Sequence, residues 1–160
     1  MKKNSIVKKD DCYLRILSLR DNEALAIDCI SKTMPKWYLL SEFEYFQEVS
    51  EQELFKNLNI NLQDIETLSP ENKRVAYEKY TLIAAVLPFI CDKSEQNKVI
   101  SKISEDKNIS KQTIRKYLCT YLVYQNISAL APSKKNKEKK LSKDEKNMRW
   151  ALNKFFYCEA

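Results

Sequence analysis

Not one of the 160 residues is glycine. A chain without glycine must make every turn from residues that carry a Cβ, so left-handed backbone positions fall first to Asn and Asp, which tolerate them best. It cannot build a P-loop or a GxGxxG dinucleotide turn, because both bring bare backbone against phosphate. Histidine is absent too. Ser/His and Cys/His catalytic pairs and His-containing zinc sites are therefore excluded within this chain.

The five cysteines (Cys12, Cys29, Cys91, Cys119, Cys158) are odd in number, widely spaced and without a CxxC pair. That spacing suits neither a disulfide framework nor a zinc knuckle and points to reduced thiols in the cytoplasm. The longest apolar run, Thr81 to Ile90, is far shorter than the roughly 20 residues that cross a bilayer. The opening MKKNSIVKKDDC has no apolar signal segment. No membrane association is expected.

Charge is distributed unevenly. Residues 1–93 carry 13 basic and 15 acidic side chains, whereas residues 94–160 carry 15 basic and 7 acidic ones. The whole +6 excess thus lies in the C-terminal part, as in a nucleic-acid contact, although a solvated lysine-rich surface produces the same pattern.

The expected fold class is α+β. A small N-terminal β-meander or barrel-like unit (residues 1–68) would precede a mainly helical helix-turn-helix domain (69–132), a basic linker (133–141) and a C-terminal helix (142–160) that begins a further, truncated domain. Cys12 to Leu19 alternates Tyr13, Arg15, Leu17 and Leu19 against Leu14, Ile16 and Ser18, which predicts a strand. Ala24 to Ile30 and Lys36 to Leu40 predict two more, the first pair joined at Asp21-Asn22 with Asn22 supplying left-handed tolerance. Ser41 to Leu58 is acidic and amphipathic and reads as a helix. Ser69 and Pro70 open a helix to about Pro88, with Val75, Tyr80, Ile83, Ala84 and Leu87 inward. A second helix, Ser94 to Glu105, is expected with Ser94 as its cap, followed by a link over Asp106 to Ile109. The third runs from Lys111 to Tyr124 under a Ser110 cap, with Ile114, Tyr117, Leu118, Tyr121 and Leu122 as its apolar stripe and Ile109 stapled to Ile114. Ser142 to Glu145 is a capping box, and Met148, Ala151, Leu152 and Phe155 form a stripe behind it. Pairs such as Asp10-Asp11 and Asp144-Glu145 read as turn and capping residues, not metal ligands.

Three helices with a short turn before the last describe a helix-turn-helix, whose third helix enters the DNA major groove by its N-terminal residues. Ser110, Lys111, Gln112, Thr113, Arg115, Lys116 and Thr120 lie off the apolar stripe and are the candidate DNA contacts. Arg pairs with guanine and Gln with adenine, while Lys and hydroxyls suit phosphate. Lys134, Lys135, Lys137, Lys139 and Lys140 would track the backbone or minor groove, or serve only as a solvated hinge. A plain three-helix bundle with solvated charges is the alternative fold reading.

ISKQTIRKYLCTYLVYQNISALAP, Ile109 to Pro132, resembles the helix-turn-helix segment that precedes the catalytic core of TnsB-type transposases, through Ser110, Thr113, Ile114, Leu118, Tyr121, Ala129, Leu130 and Pro132. Tyr13 to Leu17 resembles the family's N-terminal strand, and the Arg74 to Ile90 helix falls in the matching place. Asn126 stands where the family has glycine, which left-handed tolerance would permit, and a Lys/Asn run replaces the family's Gly/Arg-rich linker. The resemblance implies sequence-specific recognition of transposon ends in double-stranded DNA, with other transposition subunits as further partners, in a bacterial, nucleoid-associated cytoplasmic protein. The family's strand transfer uses a DDE triad and divalent metal on a domain after residue 160, so no catalysis, cofactor, metal or small-molecule substrate is expected of this chain. A helix-turn-helix transcriptional regulator would bind DNA without the transposon. A helical protein-interaction module built on Tyr117, Tyr121, Tyr124, Trp150, Phe155 and Phe156 would carry its positive charge incidentally.

Overall fold

The computed structural model describes residues 1–132. Expectations for the linker and the helix after Ser142 lie outside the described residues. The fold is α+β: a five-stranded antiparallel sheet followed by helices. Its strands are β1 (Ile6–Lys9), β2 (Cys12–Arg20), β3 (Glu23–Asp28), β4 (Lys36–Leu39) and β5 (Gln47–Val49), in the spatial order β4-β3-β2-β1-β5. The α-helices are α1 (Glu51–Asn57), α2 (Pro70–Ala84), α3 (Lys93–Lys107) and α4 (Lys111–Tyr124).

Both faces of the sheet are buried, and the pleat sorts them. Ile6, Tyr13, Leu17, Leu25 and Ile27 join Leu54, Ala76, Ile83, Ile100, Ile114, Leu118 and Leu122 in one cluster beneath the helices. Val7, Leu14, Ile16, Ala24 and Ala26 form a second cluster on the opposite face, closed by Phe43 with Tyr38, Leu40 and Phe46 around it. The Phe43 ring stands edge-on to Tyr38 and Phe46, with centroids at 5.7 and 5.3 Å, a geometry aromatic pairs favour. Because buried side chains of the sheet and of α2, α3 and α4 share one cluster, the helices are braced from beneath. A β-bulge between Ile16 and Ser18 interrupts the β2–β3 register.

The glycine-free turns follow the expected chemistry with two displacements. Among the described residues, seven adopt positive φ: Asn4, Asn59, Asn108, Asp10, Asp21, Lys32 and Gln125. Asp10 and Asp11 form the turn between β1 and β2, as expected for turn residues. In the β2–β3 hairpin the left-handed residue is Asp21, at φ 41°, and not Asn22. Asn126 is likewise extended, at φ −145°, because α4 already ends on Gln125 in the left-handed region at φ 53°. Asn126 instead caps the short 3-10 turn Ile127–Leu130, accepting from the Ser128 N–H at 3.0 Å.

The expected helix over Ser41 to Leu58 is replaced by three pieces. A 3-10 turn (Leu40–Phe43) is followed by β5, which pairs with β1, and only then by α1. Ser50 caps α1 by accepting from the Glu53 N–H at 3.1 Å. The N-cap of α3 is Asp92, not Ser94: its carboxylate accepts from the N–H groups of Ser94 and Glu95 at 3.1 and 3.2 Å. Pro70 does start α2 under a Ser69 cap, but the α-helix stops at Ala84 and a 3-10 turn spans Leu87–Phe89.

One polar side chain is wholly buried at the junction of sheet and helices. Arg15 of β2 donates from Nε to the Val123 carbonyl at 2.6 Å, and from Nη1 to the Asn4 carbonyl at 3.2 Å and to Glu51 Oε1 at 2.9 Å. Val123 lies in the last turn of α4, where carbonyls lack helical partners and the helix dipole favours a cation. Arg15 therefore fixes the C-terminal end of α4 to the sheet and to the first turn of α1.

Candidate nucleic-acid interface

Helix α4 is set up by a short corner. Helix α3 runs to Lys107, so the link is the three residues Asn108, Ile109 and Ser110, not the four expected from Asp106 to Ile109. Asn108 takes φ 54°, and its N–H donates to the Ser104 carbonyl. Ser104 Oγ donates to the Ile109 carbonyl at 2.6 Å, closing the corner from the other side. Ser110 Oγ then accepts from the Thr113 N–H at 3.2 Å and lies 2.8 Å from Thr113 Oγ1. The three-residue link falls within the length that joins the two helices of a helix-turn-helix.

The buried side of α4 is wider than its heptad stripe. Ile114, Leu118 and Leu122 are buried as expected, and so are Cys119, Val123 and Tyr124. Cys119 faces the β3–β4 loop, where its Sγ donates to Met34 Sδ at 3.4 Å. Burial pushes the Cys119 thiol up to about 11, although the Arg115 guanidinium opposes that shift. The same effect lifts the Cys29 thiol to about 12. These thiols are core groups, not nucleophiles.

The solvent side is concentrated in the first half of α4. Ser110, Lys111, Gln112 and Lys116 are exposed, while Thr113, Arg115 and Thr120 are half-buried. Successive helical side chains are about 100° apart, so Arg115, Gln112 and Lys116 fan across one side in that order. The hydroxyls have local tasks: Ser110 and Thr113 build the cap, and Thr120 Oγ1 donates back to the Lys116 carbonyl at 2.8 Å. Among the described residues, Lys111, Arg115 and Lys116 make no salt bridge. Lys134, Lys135, Lys137, Lys139 and Lys140 lie outside the described residues.

The helix termini differ electrostatically. The first turns of α1, α2 and α3 hold acids (Glu51 and Glu53, Glu71, Glu95), as the positive end of a helix dipole favours. The first turn of α4 holds Lys111 and no acid. A cation there works against the dipole, and an anion arriving from outside would relieve both.

No protein-family model matches the chain, and comparison with curated proteins gave no match.

Lys79 of α2 is a candidate that periodicity alone did not single out. Its Nζ stands 4.9 Å from the Tyr117 ring centroid, and partial burial, then the Lys116 charge, hold its ammonium below the ordinary value. Sequence could have found it only once α2 and α4 were known to pack side by side. The tyrosines expected to serve a protein partner are engaged within the fold. Tyr124 is buried and packs tilted against Phe55 at 6.0 Å, Tyr121 against Tyr80 at 5.2 Å, and Tyr117 lies under Lys79. Trp150, Phe155 and Phe156 lie outside the described residues. No helix among the described residues is long and apolar enough to cross a membrane.

Proposed function

We propose that this chain binds double-stranded DNA sequence-specifically, with the first half of α4 in the major groove. The observation that carries the reading is the start of α4: a capped helix terminus with no acid in its first turn, and with Lys111, Gln112, Arg115 and Lys116 clustered along that first half. Arg115 and Gln112 read base edges, Lys111 and Lys116 hold phosphates, and Ser110, Thr113 and Thr120 keep the helix in shape. The basic run from Lys134 to Lys140 follows the backbone beyond the helix-turn-helix.

More finely, the target is the end repeats of a transposon, and the chain is the DNA-recognition part of a TnsB-like transposase, working with other transposition subunits in the bacterial cytoplasm. The support is the match from Ser110 to Pro132 in sequence. The role this reading gives to the residues of α4 is recognition of the DNA ends. A transcriptional regulator with the same α4 would prefer a promoter operator over element ends, and the selected DNA sequence decides between the two.

Lys111→Glu separates this reading from a plain helical bundle. An acid in the first turn of α4 should stabilise the fold by about 0.3–1 kcal/mol, read as a higher urea midpoint. The same exchange should weaken duplex binding at low salt by removing one phosphate contact and adding a repulsion. Equal DNA affinity in the two proteins would place the interface elsewhere.

A further inference from the structure

We propose that the cleft at the C-terminal end of α4 binds a small organic anion, its carboxylate held by Lys32 and Ser128 and its apolar body laid on Ile60 and Leu62. The site is independent of the DNA-binding reading, because this end of α4 lies roughly 20 Å along the helix from Lys111. The cleft has a volume of about 490 Å³, within the range of small-molecule sites. Its walls come from Lys32 in the β3–β4 loop, from the link between α1 and α2, and from the stretch that begins at Tyr124.

Ser128 is only 7% exposed, and its backbone is fully used: the N–H donates to Asn126 Oδ1 at 3.0 Å and the carbonyl accepts from the Ala131 N–H at 3.1 Å. Its buried hydroxyl has no partner among the described residues. A buried polar group without a hydrogen bond is uncommon and costs stability. Ser128 lines the cleft, so the missing acceptor comes from what the cleft holds.

Lys32 brings the charge. Its ammonium stands over the Tyr124 ring, 4.9 Å from the centroid, which fixes it on the cleft wall. Its backbone is left-handed at φ 53°, as is that of Asn59 on the same wall, and non-glycine residues held this way gather at ligand sites. Among the described residues that line the cleft there is no acid and no second cation, so an anion of single charge fits best. A carboxylate only accepts hydrogen bonds, while the lysine ammonium and the serine hydroxyl both donate. Ile60 and Leu62 are half-buried against the core and leave apolar surface for the rest of the molecule.

The test is an amide NMR titration of the full chain with hexanoate and with benzoate, one linear and one aromatic carboxylate. Saturable shifts should appear at Lys32 and in residues 59–63 and 128–131, and not in residues 110–116. Hexan-1-ol, which lacks the charge, and inorganic phosphate, which lacks the apolar body, should each bind about ten-fold more weakly or worse. Lys32→Asn removes the cation but keeps a residue that tolerates the left-handed backbone; it should weaken hexanoate binding about ten-fold, whereas Lys32→Arg should bind as wild type does. Ser128→Ala should also weaken binding, yet leave the urea midpoint of the free protein unchanged or higher, because the hydroxyl has no bond to lose.

Absence of saturable shifts with both carboxylates would overturn the proposal. Equal binding of hexan-1-ol would overturn the anionic class, and equal binding of phosphate would overturn the apolar body. An equal loss in Lys32→Arg would trace the effect to packing on Tyr124 and overturn the role of the charge. A Ser128→Ala protein that unfolds at lower urea while binding hexanoate normally would mean that a water or the fold already satisfies the hydroxyl, and would overturn its part in the site.

Discussion

Replacing Arg15 with alanine should lower the unfolding free energy by about 2–5 kcal/mol, the range for cutting a large, fully buried side chain back to alanine. For a domain stabilised by roughly 5–15 kcal/mol, that is a large share of the total. The loss has three sources. The Val123 carbonyl at the end of α4 loses its donor, the Asn4 carbonyl loses another, and a wholly buried side chain leaves a cavity beneath the helices. The Glu51 contribution is the smallest, because its carboxylate is 55% exposed and solvent screens it. Glu51→Gln should therefore cost less than about 1 kcal/mol, and Arg15→Met, which refills the volume, should fall between the two. Urea unfolding of the three variants checks the order. An Arg15→Ala cost no larger than that of Glu51→Gln would contradict the role given to the Val123 bond.

Replacing Arg115 with alanine should erase discrimination at one or two base pairs of the preferred site, a loss of about 1–3 kcal/mol, or roughly five-fold to more than a hundred-fold in relative affinity. Non-cognate duplexes should bind nearly as before. The reason lies in the position and chemistry of Arg115: half-buried where Lys111 and Lys116 are exposed, it carries the planar fork that a bidentate base contact needs. Competition against a panel of single-base variants reads the effect directly. A uniform drop across the panel would reassign Arg115 to phosphate and leave Gln112 as the base reader.

Much of the helical half was legible from sequence. The Ser110 cap and the apolar spacing of Ile114, Leu118 and Leu122 are local signals, and they marked α4 at Lys111 to Tyr124. What escaped was set by distant partners. Strand β5 is only three residues of unremarkable composition, and it exists because β1 offers it an edge; locally, Ser41 to Leu58 has a helix's periodicity. Strand β1 sits in a lysine-rich stretch whose Ile6 and Val7 gain meaning only when they pair with β2. The alternation of β2 had placed Arg15 on the same face as Tyr13 and Leu17, and that placement was the available sign that an arginine would be buried.

The missing glycines also left their mark. Left-handed positions occupied by Asn and Asp follow the expected chemistry, while Lys32 and Gln125 do so only with side-chain support. Lys32 lies 4.9 Å from the Tyr124 ring centroid, and Gln125 Nε2 donates to the Leu122 carbonyl at 2.8 Å. The end of α4 shows how small the margin is: the left-handed residue is one position earlier than the Asn126 assignment expects, and Asn126 becomes a cap.

The central claim is that DNA meets the first half of α4. The most direct measurement is an amide NMR titration of the full chain with duplex DNA at low salt. The account predicts that the largest shifts fall on residues 110–116, with smaller ones around Lys79 and none at the Phe43 face of the sheet. Shifts confined to the residues after Pro132, or to the β-strands, would contradict it.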